Sequence, residues 1–170
     1  MAPLVRRSWA PRGQTPVLRQ RGRSRRKVSV IAALSISPAR RRVRAYFGFL
    51  PDANYDGEAI ADFLSGLSRT VNRPIELVWD RLRAHHRGPV ADWLATQRRV
   101  RAHLLPAYAP ELNPVELIWG HAKTNPMANF APAELEELLT RTQQATTEIA
   151  ANPKLLRSFV QHGVLPLRLR

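Results

Sequence analysis

Two short apolar runs, each leading to an acid, constrain this chain more than any other feature. Ile75-Glu76-Leu77-Val78-Trp79 reads as a buried strand closed by Asp80, and Val100 to Leu105 reads as a second, stopped by Pro106. The segment between them, Arg81 to Arg99, carries Val90, Trp93, Leu94 and Gln97 at the i, i+3, i+4, i+7 spacing of a helix face. A parallel pair needs a crossover of about a dozen residues or more, so strand, helix and strand form a βαβ unit that is right-handed by default. Neighbouring strands lie about 5 Å apart. Asp80 and the helix that opens after the second strand, with Glu116 in its first turn, would then share the rim where open α/β sheets place their sites. Two carboxylates meeting there suit a hard divalent cation.

The rest of the chain surrounds that unit. Lys27 to Ser37 is β-branched and nearly continuous in apolar residues, the pattern of a central strand. After a turn at Ser37-Pro38-Ala39-Arg40-Arg41, Arg42 to Leu50 alternates, with Val43, Ala45, Phe47 and Phe49 on one face and Arg44 and Tyr46 on the other. The pair forms a hairpin. Asp56 is placed to cap a helix that carries Ile60, Phe63, Leu64, Leu67 and Val71 on one side, and Asn72-Arg73-Pro74 stops it. The order is thus strand, strand, helix, strand, helix, strand, helix. It implies a mixed α/β sheet flanked by helices. Beyond Asn125-Pro126 the composition turns helical: Pro132 opens one helix, Pro153 breaks it, and Lys154 to Gln161 forms another, ended by His162-Gly163. Residues 1–130 therefore read as one domain with a basic arm over 1–27, and residues 131–170 as a helical extension. Pro16-Val17-Leu18 has the character of a short edge strand.

Charge narrows the partners. Lys and Arg number 27 against 13 Asp and Glu, a net of +14. Nearly all of these cations are arginine, which forks onto phosphate. The excess points to nucleic acid bound through its backbone, with a solvated basic surface as the plain alternative. Carboxylates are absent before Asp52, and the arm bears Arg6, Arg7, Arg12, Arg23, Arg25, Arg26 and Lys27, with Trp9 available to pack or stack. Cysteine is absent, which excludes thiolate metal sites and a cysteine nucleophile. No apolar run reaches the ~18 residues of a membrane span, and no signal-peptide core follows Met1, so a cytoplasmic protein without membrane association is expected.

Both acids also admit ordinary readings. Asn113 can cap a helix, Pro114 suits its first position, and Glu116 then falls at the third, the reciprocal place of a capping box. Asp80 can cap a turn. Asp52, Asp56, Asp62 and Asp92 read as loop, cap or helix-surface residues. The five histidines make no metal cluster, and the adjacent His85 and His86 read as surface residues.

Leu77-Val78-Trp79-Asp80, then His85, then Leu105-Pro106-Ala107-Tyr108-Ala109-Pro110-Glu111-Leu112-Asn113-Pro114-Val115-Glu116 with Ile118-Trp119 and Lys123, closely resemble the insertion-sequence branch of the mariner-like DDE transposases. Arg7-Ser8-Trp9-Ala10-Pro11-Arg12-Gly13-Gln14-Thr15-Pro16-Val17 is similar to the segment after that family's first catalytic acid. The resemblance spans Arg6 to Phe130, and 35 residues separate Asp80 from Glu116, a spacing that fits. It implies a ribonuclease H-like fold, DNA cleavage and strand transfer dependent on Mg²⁺ or Mn²⁺, and transposon-end and target DNA as partners. Asp80 and Glu116 become the second and third acids of the triad and the metal ligands. Lys123 and the His85-His86 pair become neighbours of the site or DNA contacts. Arg81 stands where the family has Asn. The family's first acid, on its first strand, has no counterpart, nor does its upstream helix-turn-helix. These absences imply an N-terminally truncated domain, inactive alone, in the nucleoid of a bacterium. Such a fragment would bind DNA without cutting it, join a homo-oligomer or poison a full-length transposase, or persist as a translated relic.

Overall fold

In a computed structural model of the chain, residues 7, 9–14, 17, 26–165 and 169 are described. Four strands and five α-helices follow in the order β1 (Val28–Ile36), β2 (Val43–Pro51), α1 (Gly57–Val71), β3 (Ile75–Trp79), α2 (Pro89–Thr96), β4 (Val100–Leu104), α3 (Val115–Thr124), α4 (Leu135–Ala150) and α5 (Pro153–His162). Short 3-10 turns at Arg83–His85 and Pro110–Leu112 precede α2 and α3. The fold is α/β and ribonuclease H-like, with a helical C-terminal part. Pro16 and Leu18 of the suggested edge strand lie outside the described residues.

β1 and β2 pair antiparallel from Val28↔Pro51 to Ile36↔Val43. The turn between them is tied at Ser37, whose hydroxyl accepts from the amides of Arg41 and Arg42 at 3.3 and 3.0 Å. Helices cover both faces of this hairpin. Leu34, Ile36, Val43, Ala45 and Phe47 pack with Ile118 of α3, Ile149 of α4 and Leu156, Phe159 and Val160 of α5. Ile31, Ala33 and Tyr46, on the other face, pack with Ile60, Leu64 and Leu67 of α1. The unbroken apolar run of β1 follows from burial on both sides. It does not mark a central strand, because among the described residues β1 pairs with β2 alone.

β3 and β4 pair parallel in a second sheet, in register from Ile75↔Val100 to Trp79↔Leu104. The expected antiparallel and parallel pairings are both present, but as two separate two-stranded sheets and not as one ladder. Helix α1 joins them by side-chain packing, since Leu77 and Trp79 of β3 share its cluster with Ile31 and Ala33 of β1. Local signals fix α1 at both ends. Asp56 accepts from the amide of Ala59 at 2.9 Å, and Asn72 leaves the helix in the left-handed region. Gly48 allows α1 close to the hairpin: a Cβ there would lie 2.6 Å from the Tyr55 hydroxyl and 2.9 Å from Ile31 Cγ2.

Two helix starts differ from the sequence expectation. α4 begins at Leu135 rather than Pro132, capped by Glu134, because Glu137 reaches back to accept from the Ala133 amide at 2.8 Å. α3 begins at Val115, so Pro114 is its cap and Glu116 its second residue rather than its third. Among the described residues no helix is long and apolar enough to cross a membrane.

Candidate active site at the end of the parallel strands

The ladder of β3 and β4 continues one residue past the strands, where the Leu105 amide donates to the Trp79 carbonyl at 2.7 Å. The Arg81 guanidinium Nε donates to the Leu105 carbonyl at 2.9 Å. These two bonds fasten the carboxyl ends of the strands side by side with Asp80 between them. Asp80 is held locally. Its Oδ1 accepts from the Leu82 amide at 2.9 Å, an arrangement that starts the turn into Arg83–His85. His85 Nδ1 lies 2.7 Å from the same oxygen. That contact is short, yet Nδ1 has no well-aligned hydrogen-bond partner. We describe it as a close polar contact set slightly off the bonding axis.

His85 is not the surface residue that its neighbour suggested. Its ring stacks on the indole of Trp79, centroids 4.6 Å apart and planes 4° from parallel, and 17% of its side chain is exposed. His86 is exposed and its Nδ1 contacts the Leu82 carbonyl at 3.1 Å. Adjacency in sequence hid the difference. The useful signal was a histidine one turn beyond Trp79-Asp80, close enough for the chain to fold it back.

Glu116 stands in the first turn of α3, where the helix dipole favours a carboxylate. The approach is built by Pro110–Leu112 and by Asn113, whose side chain accepts from the Val115 amide at 3.1 Å and whose carbonyl accepts from the Glu116 amide at 3.0 Å. The reciprocal half of a capping box is not formed, because the Asn113 amide donates to Pro110 instead. Glu116 is exposed, and its carboxylate bonds to none of the described residues.

Asp80 therefore has one oxygen engaged, at Oδ1, while Oδ2 accepts no bond among the described residues. Its side chain is 53% exposed. Carboxylates of this kind fit Mg²⁺ or Mn²⁺ in type, hard oxygen donors reachable from solvent. The number of donors is short. Among the described residues no group of three or more His, Cys, Asp or Glu could hold a metal, so Asp80, His85 and Glu116 do not form such a cluster.

The candidate phosphate contacts divide by environment. Arg7 and Arg12 are exposed, as is Lys123 in the last turn of α3. Arg26 pairs with Asp52 at 2.8 Å, and its guanidinium, by hydrogen bonding, holds the Asp52 carboxyl below the usual range. The Lys27 ammonium bonds to Asn54 and its amide to Asp52. Arg26 and Lys27 thus clamp the start of β1 to the loop before α1. Arg6, Arg23 and Arg25 lie outside the described residues.

With its fold and rim geometry, the chain belongs to the DDE superfamily endonuclease family, whose sequence profile matches residues 2–139. Two solved structures are similar in fold. One is the Mos1 mariner paired end complex with Mn, at a TM-score of 0.60 and 17% identity over 97% of this chain and 53% of that one. The other is the Mos1 strand transfer complex, at a TM-score of 0.56 and 18% identity over 95% and 50%. The chain spans about half the length of these structures. None of the curated proteins matches it by sequence.

Proposed function

We propose that the chain is the DNA- and metal-binding part of a transposase catalytic domain, in which Asp80 and Glu116 hold one Mg²⁺ or Mn²⁺ at the end of the parallel strands. Residues 1–130 form that part, and residues 131–170 are a helical extension packed on the hairpin. The observation that carries the reading is the half-exposed Asp80 carboxylate with a free Oδ2, at the strand-end rim of a DDE-family chain.

In two-ion phosphoryl transfer the cations lower the pKa of the attacking water or hydroxyl and steady the leaving oxygen. Asp80 and Glu116 supply two of the ligands such a site needs. All 13 Asp and Glu lie between Asp52 and Glu148, and none of the other 11 joins these two in a metal-binding group. The 170 residues alone therefore bind transposon-end and target DNA without cutting it. Exposed Arg7, Arg12 and Lys123 meet phosphates, and the +14 charge draws the duplex in.

A second reading has support from the same shortage of ligands: a non-catalytic protein that occupies DNA or pairs with full-length transposase and damps transposition. Purified chain incubated with pre-nicked transposon-end DNA and Mn²⁺ tests the proposal. Salt-sensitive binding without strand cleavage is expected. Robust cleavage would refute the incomplete site.

A further inference from the structure

We infer that His85 is a positioning residue for Asp80, pinning one carboxylate oxygen so that the other is presented to a cation. The inference rests on the metal-site reading of Asp80 and adds a residue to it. Three observations meet at this side chain. Its Nδ1 lies 2.7 Å from Asp80 Oδ1. Its ring is fixed against Trp79, itself 7% exposed, by stacking within 4° of parallel. The Leu82 amide grips the same Oδ1 from the backbone.

A half-exposed carboxylate at a strand end would otherwise rotate among several rotamers, and fixing it before an ion arrives removes that loss from the binding step. With Oδ1 turned inward by two donors, ligation falls to Oδ2 and is monodentate. His85 does this only with its proton on Nδ1, which leaves Nε2 as the acceptor. Groups that orient metal ligands in this way change affinity by about 10–100-fold when removed. His85 touches the ligand and not the reacting atoms, so its effect is on placement.

The test compares His85→Phe, which keeps a ring on Trp79 but has no donor, with His85→Asn, whose amide can donate from nearly the same place. Mn²⁺ affinity, read from the loss of the free-ion paramagnetic resonance signal, should fall about tenfold or more in His85→Phe. It should recover to within about threefold of the unsubstituted chain in His85→Asn, with little change in melting temperature in either. Nitrogen-15 correlation spectra of the metal-free chain at mildly alkaline pH should show the Nδ1–H tautomer of His85, shifting toward Nε2–H in Asp80→Ala. Unchanged affinity in His85→Phe, alongside loss in Asp80→Asn, overturns the positioning role and leaves the metal reading intact. An Nε2–H tautomer in the unsubstituted chain does the same. Mn²⁺ binding that is absent, or that survives in Asp80→Asn, removes the metal reading and this inference together.

Discussion

The amide of Leu105 donates to the carbonyl of Trp79 at 2.7 Å, one residue beyond the last paired positions of β3 and β4. That bond brings the end of β4 beside the residue that precedes Asp80. The chain needs only the loop from Pro106 to Pro114 to reach the helix carrying Glu116.

Gly48 sets the distance between the hairpin and α1. A methyl group there would meet the Tyr55 hydroxyl and Ile31, both under 3.0 Å. Gly48→Ala should destabilise the fold by about 1–3 kcal/mol, the usual range for overpacking, read as a lower urea midpoint at unchanged slope. Gly66→Ala, where a Cβ meets nothing within 4 Å on the same helix-bearing side of the chain, should be neutral or slightly stabilising.

Ile118 is fully buried between α3, the hairpin and α5. Ile118→Ala should cost about 2–5 kcal/mol. Because the same cluster holds Val43 of β2 and Phe159 of α5, hairpin and C-terminal helices should lose their structure in one transition. Circular dichroism and tryptophan fluorescence, followed on one denaturation curve, check this by their coincidence.

Burial raises the Tyr55 hydroxyl above its ordinary 10.0. A raised folded value means the neutral form is preferred in the native state. The resulting stability is complete below the unfolded value and is lost as pH climbs through the folded one. Above pH about 10 the chain should lose stability more steeply than Tyr55→Phe, measured by urea midpoints across an alkaline series.

DNA affinity should fall linearly with the logarithm of salt concentration. Substituting Arg7, Arg12 or Lys123 by Ala should each reduce that slope by about 1, since each exposed cation neutralises about one phosphate. Arg26→Ala and Lys27→Ala should change the slope less, because Asp52 and Asn54 already engage these groups. Anisotropy of a labelled duplex over a salt series makes the comparison.

Much of this was legible in the residues. The βαβ unit was readable because Ile75–Trp79 and Val100–Leu104 are short apolar runs bounded by Pro74 and Pro106, and Val90 and Trp93 mark the crossover helix. Asp56 and Asn152 announced their helices because capping is a local bond, visible within three residues. The division into two small sheets was not readable. Pattern reports whether a strand face is buried, not whether a helix or another strand buries it, and β1 has helices on both sides. The start of α3 slipped by one residue because Pro114 suits both the cap and the first helical position. His85 was misread because a stacking contact with Trp79 leaves no periodic trace in the chain.

Iron-directed backbone cleavage tests most directly whether Asp80 and Glu116 share one ion. Fe²⁺ placed in the site, with ascorbate and peroxide, cuts the polypeptide only close to where the ion sits. The account predicts cuts at both segments, around Asp80 and around Glu116, lost together in either Asp80→Asn or Glu116→Gln and suppressed by excess Mg²⁺. Cuts at one segment alone, or at both but unaffected by these substitutions, would contradict it.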